Sequence, residues 1–250
     1  MSKIEKRFGL LGKDISYSFS KKYFTEKFSK LGLRHYEYVN YDLQMIQDFK
    51  NEVLKDLHIL GGLNVTIPYK ESIIPFLDEI DDEAESIGAV NTIKILDNKT
   101  LKGFNTDAYG FETSLRSCWR GNEKGALILG TGGASKAVAH VLRKLGISFL
   151  FVSRNKRSDH MISYRDIDRL IMQQHEMIIN CSPIGTFPEI EARPDLPYEF
   201  LTSKHLLYDL IYNPEKTAFL KMGENAGAII SNGGSMLAFQ ADKSWEIWNS

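Results

Sequence analysis

The sequence predicts an α/β protein whose second half is a doubly wound parallel sheet. Three observations carry that reading. The first is Ala126-Leu-Ile-Leu-Gly-Thr-Gly-Gly-Ala-Ser-Lys-Ala137, which reads as strand, glycine turn and helix start. Leu127, Ile128 and Leu129 form the short uninterrupted apolar run of a strand covered on both faces. The second is helical spacing through Ala137, Val138, Val141, Leu142 and Leu145, stopped by Gly146 and followed by a strand ending at Val152. The third is the alternation of further strand and helix patterns to the end: strands at 177–180, 205–212 and 227–231, and helices at 216–225 and 235–248.

The turn itself carries chemistry. Gly130 permits the tight turn, Gly132 lets backbone approach a ligand, and Ala134 and Ser135 are small enough for a helix to start against the strand. Bare N–H groups at such a helix start form a pyrophosphate site, although Ser135 stands where the usual fingerprint has Gly or Ala. The second strand ends in Ser153-Arg154-Asn155-Lys156-Arg157. An NAD site would place an acid there. A neutral residue followed by arginine suits a 2′-phosphate, because guanidinium offers phosphate a planar fork of donors. The cofactor predicted is NADP(H). The competing readings are a βα turn without ligand and a solvated basic loop.

Composition narrows the class. With 250 residues, 43% hydrophobic and 25% charged, the chain has ample core for one or two domains. A formal charge of −1 gives no footprint for nucleic acid and no polybasic arm for a membrane. Cys118 and Cys181 cannot form a disulfide framework, which suits a cytoplasmic protein. Met1 to Arg7 is polar and Phe8 to Leu11 too short for a signal peptide, and no run approaches the ~18 apolar residues of a membrane span. The six histidines show no metal-binding spacing, so no metal site is expected.

Residues 7 to 11 read as a buried strand ending at Gly12. A polar loop with Ser16, Ser18 and Ser20 follows, then a helix to about Leu31. These hydroxyls suit a polyol or carboxylate held on an extended edge, and Ser20 equally suits a helix N-cap. His35 to Val39 alternates as a strand, and Leu43, Ile46, Phe49, Val53 and Leu57 predict one amphipathic helix. The strand Leu60 to Ile67 is ended by Pro68 and gathers Asn64, Thr66 and Lys70 at its C-terminal edge, where open α/β sheets bind ligands. A helix over 78–87 leads to a hairpin, Thr92–Leu96 and Leu101–Asn105, turning at Asp97-Asn98. Asp107 then starts a helix running to about Ser117, and 120–125 reads as a link. After Arg157 the chain reads as irregular until a helical pattern over 164–171, and 181–197 is a long loop.

Seven segments in order give the chain a family likeness. They are Gly12-Lys-Asp-Ile-Ser-Tyr-Ser-Phe-Ser20, Asn64-Val-Thr-Ile-Pro-Tyr-Lys70, Gly88-Ala-Val-Asn-Thr92, Asn105-Thr-Asp107, Gly130-Thr-Gly-Gly-Ala134, Tyr208-Asp-Leu-Ile-Tyr-Asn-Pro214 and Gly234-Ser-Met-Leu-Ala-Phe-Gln240. Over nearly its whole length the chain resembles shikimate dehydrogenase. The resemblance implies an N-terminal α/β substrate domain over 1–106, completed by a last helix over 235–250, and a Rossmann-like NADP domain over 107–234. It implies reduction of 3-dehydroshikimate to shikimate by NADPH on the route to chorismate and the aromatic amino acids, by a cytoplasmic monomer or homodimer. It also implies residue roles. Lys70 and Asp107 are the catalytic pair, and Ser18, Ser20, Thr66, Asn91, Tyr212 and Gln240 the remaining substrate contacts. Gly130, Gly132, Gly133, Ala134, Ser153 and Arg154 hold the cofactor, with Leu210, Gly233 and Met236 at the nicotinamide.

Two residues depart from the family pattern: Tyr17 stands for the usual histidine, and Lys21 for the usual proline. The alternatives are a quinate/shikimate dehydrogenase of relaxed specificity, an enzyme for an aminated analogue, and a non-catalytic metabolite-sensing homologue. Retention of Lys70 and Asp107 argues against the last.

Overall fold

The apolar run after Arg7 is the second strand of a six-stranded mixed sheet in the computed structural model, which describes residues 4–16, 18–154 and 160–250. The chain divides into two compact units, Met1–Thr106 with Ala241–Ser250, and Asp107–Gln240.

In the first unit β1 (Lys6–Gly12), β2 (Tyr36–Asp42) and β3 (Leu60–Val65) run parallel, with α1 (Phe19–Lys30) between the first two in sequence. β5 (Thr92–Ile95) pairs antiparallel with β3 and with β6 (Leu101–Phe104), and the short β4 (Glu79–Ile80) adds to β6. The order is β2-β1-β3-β5-β6-β4. Side chains alternate across a strand, so β1 serves two cores. Phe8 and Leu10 join Phe24, Phe28, Tyr38 and Trp248, while Leu11 joins Phe49, Val53, Leu63 and Ile93.

The single helix expected over 43–57 is instead three short turns: Ile46–Asp48, α2 (Phe49–Glu52) and Leu54–Asp56. Phe49 and Val53 are buried as their spacing requires. Asp56, however, is held by the Arg7 guanidinium at 2.5 Å and the Tyr41 hydroxyl at 2.8 Å, and these anchors bind the segment's far end to the sheet. The helix expected over 78–87 is only α3 (Asp82–Ile87). Asp78 accepts the Leu101 N–H at 2.8 Å beside β4, and Asp81 is the N-cap. The hairpin forms as expected, with the Asn98 side chain accepting the Thr100 N–H.

The second unit begins with α4 (Thr106–Leu115, its first residue in unit one) and holds six parallel strands. They are β7 (Ala126–Leu129), β8 (Phe149–Ser153), β9 (Met161–Ser163), β10 (Met177–Asn180), β11 (Leu206–Asp209) and β12 (Ile229–Ser231), in the order β12-β11-β10-β7-β8-β9. This is the doubly wound Rossmann order, reversing between β7 and β10. The helices are α5 (Gly133–Lys144), α6 (Arg169–Gln174), α7 (Ala218–Asn225) and α8 (Gly234–Asn249), the last running on into unit one. All four residues of β7 are fully buried, as a doubly covered strand requires.

Three expectations shift. The segment after Arg157, read as irregular, contains β9. The pattern at 164–171 resolves into a turn at Tyr164–Asp166 and α6, whose N-cap Asp168 accepts the Ile171 N–H. The strand expected over 205–212 stops at Asp209, because that carboxylate captures the Ile211 N–H at 3.1 Å and turns the chain. Among the described residues no helix is long and apolar enough to cross a membrane.

Candidate active site

In the first unit, candidate residues gather where strands end. Thr66 follows β3 and donates its N–H to Leu11 O at 2.9 Å, tying this turn to the end of β1. Tyr69 N–H then bonds Thr66 O, and Lys70 O accepts the Val90 N–H at 2.7 Å, next to Asn91. Thr66, Lys70 and Asn91 therefore share one edge of the sheet. Lys70 is half-buried and Asn91 buried.

Ser18 and Ser20 do not lie on an extended edge. Ser18, not Ser20, is the N-cap of α1, accepting the Ser20 N–H at 3.3 Å, and Ser20 sits in the first helical turn. A helix needs such an acceptor where its first N–H groups lack partners. Both hydroxyls thus stand at a helix N-terminus, a place that favours an anion.

Behind them lies a buried polar network. Tyr38 Oη donates to Asn64 Oδ1 at 2.8 Å, and Asn64 Nδ2 donates to Thr92 Oγ1 and Ser244 Oγ. Asn91 Oδ1 accepts the Thr106 N–H at 2.7 Å, and Thr106, Thr92 and Ser244 share their hydroxyl bonds. Burial pushes the Tyr38 phenol well above its usual value, and a hydrogen bond with Ser20 tempers the rise. Tyr38 and Ser244 escape sequence reading, since a tyrosine in a strand and a serine in a helix each pass as ordinary; Asn64 is legible at its strand end.

The second unit carries the residues expected for the cofactor. Gly130 has φ +109°, a conformation side chains rarely adopt, and it turns β7 into α5. The N-cap of α5 is Gly132, which among the described residues brings no side-chain cap, its first turn carries no acid, and a Cβ placed on Gly132 would meet nothing within 4 Å. Gly133 and Ala134 are half-buried in that first turn. Such a start suits a pyrophosphate. Ser153 closes β8 and Arg154 beyond it is exposed. Lys156 and Arg157, like Tyr17, lie outside the described residues.

The nicotinamide candidates meet beyond the end of β11, on the same sheet edge as the turn after β7. A Cβ on Gly233 would lie 2.0 Å from Leu210 O, so only glycine allows this approach, and Gly233 N–H donates to Ile211 O at 3.0 Å. Met236 and Gln240 sit one turn apart on α8. Facing them, Gly110 of α4 packs against that backbone, a Cβ there falling 2.7 Å from Met236 O. Asp107, buried, lies one turn before Gly110. Gln240 Nε2 donates to Leu237 O, and Tyr212 is half-buried.

The model of the shikimate dehydrogenase substrate binding domain matches residues 10–93. A shikimate dehydrogenase (NADP(+)) from Methanosphaera stadtmanae is 35% identical over 258 residues, covering 96% of this chain and 90% of its own. The chain belongs to the shikimate dehydrogenase family. A second relative of the same name, from Halothermothrix orenii, is 36% identical over 96% of this chain and 89% of its own. Among solved structures, the Thermus thermophilus shikimate 5-dehydrogenase in complex with NADP(H) and shikimate superposes with TM-score 0.84. It is 29% identical and covers 97% of this chain and 93% of that one. In this shikimate dehydrogenase family member, sequence reasoning misses one residue that does leave a signal. Asp209 in Tyr208-Asp-Leu-Ile-Tyr-Asn-Pro214 is a charged residue within an apolar strand pattern, and such a residue needs buried partners.

Proposed function

We propose that this chain is an NADP-dependent shikimate dehydrogenase, interconverting 3-dehydroshikimate and shikimate. The observation that carries the reading is the near full-length match to relatives of that name. The residues expected for both ligands are retained in order. The first unit takes the substrate and the second the cofactor, through Gly130, Gly132, Gly133, Ala134, Ser153 and Arg154, with Leu210, Gly233 and Met236 at its reactive end. Bound there, NADPH supplies the hydride.

The chain's own residues do the rest. Ser18 and Ser20, at the start of α1, hold the substrate carboxylate, while Thr66, Asn91, Tyr212 and Gln240 orient the ring. Negative charge grows on the ketone oxygen as its carbon is reduced. The Lys70 ammonium donates the proton and stabilises that charge, with Asp107 as its partner in proton transfer. In the oxidative direction the same side chain takes the proton back. The setting proposed is the cytoplasm, with both cysteines free, as monomer or homodimer.

The test is absorbance of NADPH formed from NADP+ and shikimate, with quinate and NAD as alternative partners. Turnover fastest with shikimate and NADP+ is expected. Equal turnover of quinate would establish the relaxed-specificity enzyme, and no turnover of any pair would leave a sensing homologue.

A further inference from the structure

Asp209 takes no part in the proton chemistry above, yet its carboxylate joins three segments of the nucleotide unit. It is fully buried at the end of β11. Oδ1 accepts from Asn180 Nδ2 at 3.0 Å and from the Ile211 N–H at 3.1 Å, and Oδ2 accepts from Thr217 Oγ1 at 2.6 Å. Asn180 ends β10, Ile211 lies in the turn after β11, and Thr217 is the N-cap of α7. Asn180 Oδ1 in turn accepts from the Ser182 N–H and hydroxyl.

What this cluster grips is the turn carrying Leu210 and Tyr212. Leu210 N–H donates to Asn180 O at 3.0 Å, and Ile211 O accepts the Gly233 N–H at 3.0 Å. The turn is thus held to β10 on one side and to the approach to α8 on the other, with the carboxylate as the side-chain bolt between. Burial raises the Asp209 pKa to about 6, while the bonds from Thr217, Ile211 and Asn180 pull it down. A leucine of similar bulk would pack without that desolvation penalty but could not accept these three bonds.

We propose that Asp209 is a positioning residue for hydride transfer: its carboxylate fixes Leu210 and Tyr212, and through them the nicotinamide end of the cofactor. The proposal rests on the placement of Leu210 beside the nicotinamide given under the proposed function. The 2′-phosphate and pyrophosphate contacts lie on other segments. Loss of Asp209 therefore affects the reactive end and spares overall cofactor affinity.

The experiment compares Asp209→Ala, Asp209→Asn and Thr217→Val with wild type. Asparagine keeps an oxygen for Asn180 and Ile211 and can turn its amide toward Thr217 Oγ1, so it is the rescuing variant. Each protein is titrated with NADPH while the emission of bound nicotinamide is followed, a readout that needs no substrate. Turnover with shikimate and the isotope effect from shikimate deuterated at the carbinol carbon are then measured. Asp209→Ala should bind NADPH within about threefold of wild type, lose at least half of the emission change, and show kcat reduced about tenfold or more with a larger isotope effect. Asp209→Asn should recover most of each. If Asp209→Ala does not fold, Thr217→Val should show the same changes in weaker form. Wild-type emission and kcat in the folded variants, with only a lower Tm, would overturn the positioning role. Absence of shikimate turnover in the wild type would instead refute the substrate reading, and the emission comparison would still decide Asp209.

Discussion

The two candidate edges are built from opposite materials. In the first unit the edge is lined by side chains, with hydroxyls at the start of α1 and an amide and hydroxyl network of Asn64, Asn91, Thr92, Thr106 and Ser244 behind. In the second it is mostly backbone: an uncapped helix start, a glycine at φ +109°, and a Leu210 carbonyl lying against Gly233. A ring bearing hydroxyls must be told from its isomers, and only directed side chains can do that. A pyrophosphate asks for N–H groups and an absence of side chains. The first edge should therefore be damaged by removing atoms, and the second by adding them or by removing one charge.

The sharpest break of this contrast is Lys70→Ala. Turnover should fall by roughly 10² to 10⁴, the range of a positioned acid or base, with a much smaller change in substrate KM. Near-normal kcat would take lysine out of the mechanism. Next come Ser18→Ala and Ser20→Ala. A lost hydrogen bond to a charged group is worth roughly 1.5–3 kcal/mol, so shikimate KM should rise about ten- to a hundredfold. The two differ in one respect: only Ser18 caps α1, so only its variant should also lower Tm. Unchanged KM in both would remove the carboxylate assignment.

On the other edge, Arg154→Ser should raise the KM for NADP about tenfold while leaving NAD nearly untouched, since only the 2′-phosphate loses a partner. Equal loss for both cofactors would make the arginine a general electrostatic residue. The smallest effect concerns pH. Asp209 has its pKa raised from 3.8 to about 6 by burial, so the folded state binds its proton more tightly than the unfolded state. Its contribution to stability is thus complete below about pH 4 and is lost as pH rises through about 6. Asp56 and Asp242 run the other way; burial pushes them up, but bonds to Tyr41 and Arg7, and to Lys27 and Tyr23, hold them below the usual value. The Tm difference between Asp209→Asn and wild type should therefore grow in favour of the variant from pH 4 to 7. A flat difference would mean the carboxylate does not titrate there.

The sequence was most legible where a single residue type admits one conformation. The β7 turn followed from Gly130 and the apolar run before it, and the β5–β6 hairpin from Asp97-Asn98 between alternating strands. It was least legible where a side chain from a distant segment decides. The apolar spacing through Leu43, Ile46, Phe49, Val53 and Leu57 fits a helix, but Arg7 and Tyr41 on two strands hold Asp56 and the segment forms separate turns. The pattern at 205–212 fits a strand, but a carboxylate inside it bonds the backbone two residues on. In the candidate site, motif residues are expectations drawn from family likeness, whereas Tyr38 and Ser244 become visible only when β2 and α8 are brought to Asn64.

The last helix has a consequence for how the chain comes into being. Residues 107–240 are contiguous, so the second unit can close as soon as they leave the ribosome. The first unit cannot. Phe8, Phe24 and Phe28 wait for Trp248, which packs at 4.8 Å from Phe8 and bonds Ile93 O, 155 residues away. At translation rates of roughly 5–20 residues per second, an aromatic face on the N-terminal sheet stays uncovered for on the order of ten seconds. The unit made first is finished last.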